Sequence, residues 1–251
     1  MHRFFIHPEL LQKDQVTFPT ATARQMRNVL RLRPGDLVTV LDNRGNQYQV
    51  EISILNPKQV KGQVVARSVA EEKNTIQLHL GFALTQREKV EWILQKCTEL
   101  GASRLTPFIA ERSLARAKVV DVSKVRRWEK IVQEAAEQSG RSRLPELGEV
   151  VFMDQLLKQV NLKRGIGLVA WEGEVMDSLL NTLRKFSNEI QKTRRVTILI
   201  GPEGGFSEAE VALVQRAGLT TVSLGVQLLR METAAVAACA VIMAVCEPLV
   251  N

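Results

Sequence analysis

The sequence predicts an α/β protein, a mostly parallel sheet covered by helices and preceded by a small β-rich barrel. Three observations lead there. From residue 76 onward, short apolar runs alternate with stretches of helical periodicity, as the β-α units of a parallel sheet do. Before residue 70 the chain reads instead as short strands around one helix. Between them Glu71-Glu72-Lys73-Asn74 is a polar break, so the expected division is 1–71 and 75–251.

The first part opens on Met1-His2-Arg3-Phe4-Phe5-Ile6, which lacks the apolar core and small-residue cleavage site of a signal peptide. Thr22 to Leu30, with a T-x-x-Q capping box, reads as a short helix leading into Arg31-Leu32-Arg33-Pro34-Gly35-Asp36. Leu37 to Leu41 is a strand, Asp42 to Asn46 is turn chemistry, and Gln47 to Ile54 alternates like a half-buried strand. Val60 to Val69 is a third strand. Net charge is +7, and residues 1–70 hold ten Lys/Arg against five Asp/Glu, a net of +5. A basic module ahead of a nearly neutral one suggests contact with a polyanion. Arg24, Arg27, Arg31 and Arg33 cluster within ten residues and are the expected phosphate contacts, with Arg3 beside them; the alternative is a solvated basic face.

In the second part the strands are expected at Ile76–Leu84, Leu105–Ile109, Gly167–Trp171, Val196–Ile200 and Thr221–Leu224. Thr85 with Glu88 looks like a capping box opening a helix of Val90, Ile93, Leu94, Cys97 and Leu100. Trp92 and Leu94 in that helix read as core. Val125 to Ala136 is a second amphipathic helix, leaving through the basic Q-S-G-R-S-R of 138–143. Thr233 to Cys246 is apolar nearly all round and rich in alanine, so it should be buried on several sides. It is too short to span a bilayer. Three cysteines form neither a disulfide framework nor a metal spacing, and the three histidines are scattered; no metal is expected, and a reducing cytoplasm is the simplest setting.

The stretch with chemical character is Val196 to Phe206, V-T-I-L-I-G-P-E-G-G-F, with its sequel V-S-L-G-V-Q-L-L-R-M-E-T-A at 222–234. A buried strand breaks at Gly201-Pro202-Glu203-Gly204-Gly205, and Ser207 with Glu210 caps the next helix. A second strand also ends in glycine, Gly225, with Glu232 bare before the last helix. Two adjacent strand ends with open backbone suit a ligand at the carboxyl edge of a parallel sheet. The alternative is an ordinary strand-to-helix turn. Other enzyme classes are disfavoured: there is no G-x-x-x-x-G-K-[ST], no G-x-S-x-G, and the glycine run is neither G-x-G-x-x-G nor early in the chain.

The pair G-P-E-G-G-F-S (201–207) and L-G-x-x-L-L-R-x-E-T-A (224–234) resembles the SPOUT RNA methyltransferases, in particular their branch acting on a uridine ring nitrogen (N3) of small-subunit ribosomal RNA. K-V-E-W-I-L-Q-K-C-T-E-L-G-A (89–102), P-F-I-A-E-R-S (107–113) and R-x-V-L-R-L-R-P-G-D (27–36) are similar to further blocks of that family. The resemblance runs from about Phe4 to the end. It implies a trefoil-knotted domain that binds S-adenosylmethionine, a PUA-like RNA-binding barrel in front, and a homodimer paired through the C-terminal helix. The chain departs at Val226 and Gln227, where the family commonly has proline and arginine.

Under that resemblance the cofactor would meet Ile200, Gly201, Glu203, Gly204, Gly205, Leu224, Gly225, Leu228, Leu229, Arg230, Glu232, Thr233 and Ala234. Uracil N3–H is weakly acidic, so a carboxylate taking the proton or an arginine stabilising the anion would help. Arg230 is the first candidate, then Glu232 and Glu203; the alternative is that Glu203 only holds its turn and Glu232 only complements a helix dipole. Arg112 and Arg141 would face RNA. The rival functions are ribose 2′-O methylation on the same fold and a non-catalytic RNA-binding assembly factor.

Overall fold

Two separate hydrophobic cores divide the chain. The computed structural model describes residues 1–69, 75–113, 121–160 and 164–247; the polar break at 71–74 lies outside them. One compact unit comprises Met1–Lys73 together with Ala136–Leu144, and the other Asn74–Ala135 with Pro145–Asn251. That Ala136–Leu144 joins the first unit differs from a division at a single point. Its cause is a small apolar contact, in which Ala136 and Leu144 cover Phe5 and Leu41.

In the first unit the strands are β1 (Arg3–Phe5), β2 (Leu11–Gln12), β3 (Gln15–Phe18), β4 (Leu37–Leu41), β5 (Asn46–Leu55) and β6 (Val60–Val69), with helix α1 at Thr20–Asn28. They form one sheet in the order β1-β4-β5-β6-β3-β2, with β1 parallel to β4 and the other pairs antiparallel. Alternation decides the faces: Val50 and Ile52 are buried while Glu51 between them is exposed. Ala23 and Met26 seat α1 on this core. The helix begins two residues before the expected Thr22, behind Pro19, with no side-chain cap. Proline presets the backbone for a helix start, so the T-x-x-Q pattern is not used.

The second unit contains β7 (Gln77–Ala83), α2 (Arg87–Glu99), β8 (Arg104–Ile109), α3 (Val122–Gln138, its last turn in the first unit), β9 (Glu146–Leu147), β10 (Val151–Phe152), α4 (Met153–Gln159), β11 (Ile166–Ala170), α5 (Leu179–Lys185), α6 (Ser187–Thr193), β12 (Arg195–Ile200), α7 (Glu208–Arg216), β13 (Thr220–Val222) and α8 (Met231–Cys246). The sheet runs β10-β8-β7-β12-β11-β13, with β9 beside β8, and every pairing is parallel. Strands buried on both faces explain the continuous apolar runs. A parallel sheet also gathers every strand exit on one edge, here the loops after β7, β8, β11, β12 and β13.

Within the single chain the C-terminal helix α8 is covered on one side. Met231, Ala234, Ala235, Ala238, Cys239, Ile242, Met243 and Cys246 are buried, but Thr233 and Ala244 are exposed and Ala237, Ala240 and Val241 only half-buried. One stripe therefore meets the core while the opposite, uncharged stripe does not. Helix α2 runs alongside, with its Cys97 and the Cys239 of α8 in the same core and Gly101 lying under Met243. On α2, Leu94 is fully buried, but Trp92 is 51% exposed rather than core. Among the described residues no helix is long and apolar enough to cross a membrane.

Candidate cofactor and substrate site

At the carboxyl edge the loop after β12 is built by its own hydrogen bonds. Gly205 N donates to Pro202 O (2.9 Å), closing the turn, and Gly205 has φ +69°. A side chain there would also lie 2.5 Å from Glu172 Oε1, on the loop after β11. The left-handed backbone favours glycine, and any other residue would also make the Glu172 side chain move. The next residues form the expected capping box: Ser207 N donates to Glu210 Oε2 (2.9 Å) and Glu210 N to Ser207 Oγ (3.3 Å). The same two side chains reach the loop after β8, where Glu111 N donates to Glu210 Oε1 (2.8 Å) and Ser207 Oγ to Glu111 Oε2 (2.6 Å). Arg112 Nη1 then donates to Gly204 O (3.1 Å). Arg112 is exposed, whereas Ser113 is buried and accepts from Ala110 N, so it holds the loop together.

Glu203 turns toward the start of α2. Thr85 Oγ1 donates to Glu203 Oε1, and Lys89 Nζ donates to the same oxygen (2.9 Å). Thr85 is thus not a helix cap; Gln86 stands at that position and α2 has no side-chain cap. Burial pushes the Glu203 carboxyl up, but the hydrogen bonds from Thr85 and Lys89 outweigh it and hold it below the ordinary carboxylate value. Lys89 is raised in turn, first by the hydrogen bond with Glu203; Glu232 adds to this and Arg230 opposes it, so all four charges share one neighbourhood.

The loop after β13 is less tied. Gly225 has φ +129°, and nothing lies within 4 Å of where its Cβ would be. Val226 and Leu228 are wholly or largely exposed, at 100% and 81%, while Leu224 and Leu229 rest against the core. Arg230 is the exposed N-cap of α8. Glu232, in the first turn of α8, has a buried oxygen, Oε2, with no hydrogen-bond partner among the described residues. The loop after β11 joins this edge: Ser223 N donates to Asp177 O (2.8 Å), and Thr221 Oγ1 to Glu174 Oε2 (2.8 Å).

The structure therefore gathers Ile200, Gly201, Glu203, Gly204, Gly205, Leu224, Gly225, Leu228, Leu229, Arg230, Glu232 and Thr233 on one edge. Ala234 turns its side chain into the core. Arg3, Arg24, Arg27, Arg31, Arg33 and Arg141 belong to the first unit instead. Sequence reasoning missed Thr85, Lys89, Glu172 and Glu174. Thr85, expected only as a helix cap, and Lys89 act on a residue more than a hundred positions away, which no local pattern marks. The other two had one, since W-E-G-E (171–174) is a further strand exit with glycine. A cavity of ≈ 240 Å³ lies at the opposite, amino edge, lined by His79, Arg104 and Arg195 among others, and is separate from this site.

Comparison with known proteins decides what such an edge belongs to. Residues 71–243 match the model of an RNA methyltransferase domain. The chain belongs to this RNA methyltransferase family. Residues 26–65 of the methyltransferase match the family's PUA domain. It is 31% identical over 238 residues to ribosomal RNA small subunit methyltransferase E of Bacillus subtilis (strain 168), covering 93% of each chain. It is 32% identical to the Synechocystis protein of the same name, over 98% of this chain and 78% of the relative. Among solved structures it resembles a Legionella pneumophila methyltransferase in complex with the cofactor SAM (TM-score 0.86, 28% identity, 97% of each chain). It also resembles a ribosomal RNA small subunit methyltransferase E of Neisseria gonorrhoeae bound to S-adenosyl methionine (TM-score 0.80, 26% identity, 97% of each chain).

Proposed function

We propose that the protein is a cytoplasmic, homodimeric methyltransferase that transfers a methyl group from S-adenosylmethionine to N3 of a uridine in small-subunit ribosomal RNA. The observation that carries the cofactor is the open carboxyl edge, where Glu232 Oε2 is buried without a partner and the space beside Gly225 is free. A ligand with hydroxyl or amino donors fits both. Ile200, Gly201, Leu224, Gly225 and Leu229 would hold its adenosine, and Glu232 would accept from its polar groups. When bound, the cofactor supplies an electrophilic methyl on a sulfonium.

The chain's own residues then have separate tasks. The loops after β12 and β13 align the acceptor and keep water out. Arg230, exposed at the edge and in no ion pair among the described residues, stabilises the uracil anion as N3 loses its proton. Glu203 stays ionised and fixes Lys89 rather than taking the proton, because its carboxyl is held below the ordinary value. N3 lies on the pairing edge of the base, so the uridine must be unpaired or flipped out. Arg24, Arg27, Arg31 and Arg33 on and after α1 would contact phosphates.

The dimer would form on the outward stripe of α8 and the exposed Trp92 of α2, which are uncharged. The family's trefoil knot stays part of the proposal, and the order β7-β12-β11-β13, in which the chain recrosses β11 after β12, is compatible with it. The deciding experiment incubates the protein, S-adenosylmethionine and unmodified small-subunit particles, then identifies the nucleosides by mass spectrometry. 3-Methyluridine is the expected product. A 2′-O-methylated nucleoside, or no methyl transfer to naked RNA or particles, would overturn the reading.

A further inference from the structure

In the first unit, residues Ala136–Leu144 are fastened to β1 and to the turn between β4 and β5. Leu144 N donates to Asn43 Oδ1 (2.8 Å), Phe5 N donates to Glu137 Oε1 (2.9 Å), and Arg143 Nη2 donates to Arg44 O (3.4 Å). Below these bonds lies the apolar contact of Phe5, Leu41, Ala136 and Leu144. Two arginine-bearing segments that are a hundred residues apart in sequence thus form one edge.

The turn itself is rigid. Asp42 accepts from Arg44 N (2.8 Å), Asn46 N (3.0 Å) and Asn46 Nδ2 (2.6 Å), and Asn43 takes the left-handed conformation at φ 58°. Asp42 is only 6% exposed, so its charge is spent beneath the turn while Arg44 stands exposed above it. Burial raises the Asp42 carboxyl, but the hydrogen bond from Asn46 and the backbone donors hold it below its ordinary value, so it stays an acceptor. On the other segment Arg143 is exposed, while Arg141 is partly buried and donates from Nε to Arg143 O (3.2 Å). Arg141 supports the backbone that displays Arg143.

We propose that Arg44 and Arg143 form a second phosphate-docking edge for RNA, distinct in sequence from the arginines of α1. This rests on the rRNA methyltransferase reading above. The edge offers two exposed cations on a fixed backbone, which can pair backbone phosphate oxygens, and the domain match decides for RNA over an acidic protein. The turn also lies inside residues 26–65, which match the PUA domain of RNA methyltransferases. Preformed cations lose less entropy on binding than cations on free side chains.

The test measures binding of an unmodified small-subunit rRNA transcript across a salt series. Arg44→Ala with Arg143→Ala should reduce the slope of log affinity against log salt by about 1.4–1.8, at ~0.7–0.9 per lost contact. Arg44→Lys with Arg143→Lys should keep the slope. Affinity for S-adenosylmethionine should not move and the circular dichroism spectrum should stay that of the wild type, which separates this effect from misfolding. A wild-type slope in the double-alanine variant would overturn the edge alone. So would an Arg24→Ala, Arg27→Ala, Arg31→Ala variant that loses the whole salt dependence. Wild-type protein that binds no RNA would overturn both this edge and the reading beneath it.

Discussion

Glu203 enters any reaction already ion-paired, with Thr85 and Lys89 sharing its Oε1. Replacing Glu203 with Gln keeps the shape but frees Lys89 inside a cluster that also holds Arg230. The loop after β12 then loses the ion pair that ties it to α2, so S-adenosylmethionine affinity measured by calorimetry should fall. Arg230→Ala should behave differently: kcat should drop roughly 10²–10³-fold with cofactor affinity retained, as when a transition-state donor is removed. An unchanged kcat would take Arg230 out of the chemistry. Gly225→Val places a branched side chain at φ +129°, where steric strain rather than crowding is the cost. It should abolish cofactor binding while the rest of the unit stays folded, as read by circular dichroism and calorimetry on one sample. At this scale the sequence was legible where a residue type is forced by its own backbone, as at Gly205. It was silent where a side chain answers a distant partner, and Lys89 is the plainest case.

Among elements, the three capping patterns show what local chemistry can and cannot announce. Ser207 and Glu210 form the expected box. Thr22 and Thr85 do not cap, because Pro19 starts α1 earlier and Glu203 takes the Thr85 hydroxyl. Ser207→Ala should cost about 1 kcal/mol in denaturant stability, the usual loss at an N-cap. It should also loosen the loop carrying Arg112, since Ser207 Oγ donates to Glu111. The strands were legible because burial on both faces makes their runs continuous, whereas the two-residue strands β2, β9 and β10 are too short to carry a period. Helix α8 was legible in composition, but which of its stripes meets the chain's own core was not, since alanine is equally at home on either side. Ala238 and Met243 face the helix's own core, so arginine at either would unfold the unit. Ala240→Arg, on the outward stripe, should give a folded monomer in sedimentation equilibrium; a persisting dimer would move the interface elsewhere.

For the whole molecule, one half-buried histidine sets a pH response. Burial, with Arg104 nearby, drives the His79 ring down to about 4, and its Nε2 lies 2.9 Å from Thr106 Oγ1. The unfolded chain takes up that proton near 6.5, the folded protein only near 4. Stability should therefore fall as pH drops from about 6.5 to about 4 and change no further below that on this account. The full difference is at most about 3 kcal/mol, and less because the ring keeps some contact with solvent. Urea midpoints at about pH 7 and pH 5 should show the loss, and His79→Gln should flatten it. The three cysteines are all buried, and burial pushes Cys246 up to about 11, so none should react with a thiol reagent until the protein unfolds.

The first unit's borrowed segment bears on how the protein is made. Synthesis runs from the N-terminus, and the strands of the first sheet are complete at Val69. The cover over Phe5 and Leu41 is not, because Ala136 and Leu144 come far later. A nascent chain must therefore wait through β7, α2, β8 and α3 before its first-made domain can close. The same lag means that no single cut in the gene yields a finished first unit. A fragment ending near residue 73 would leave two apolar side chains bare, and this module and its methyltransferase partner must be inherited together.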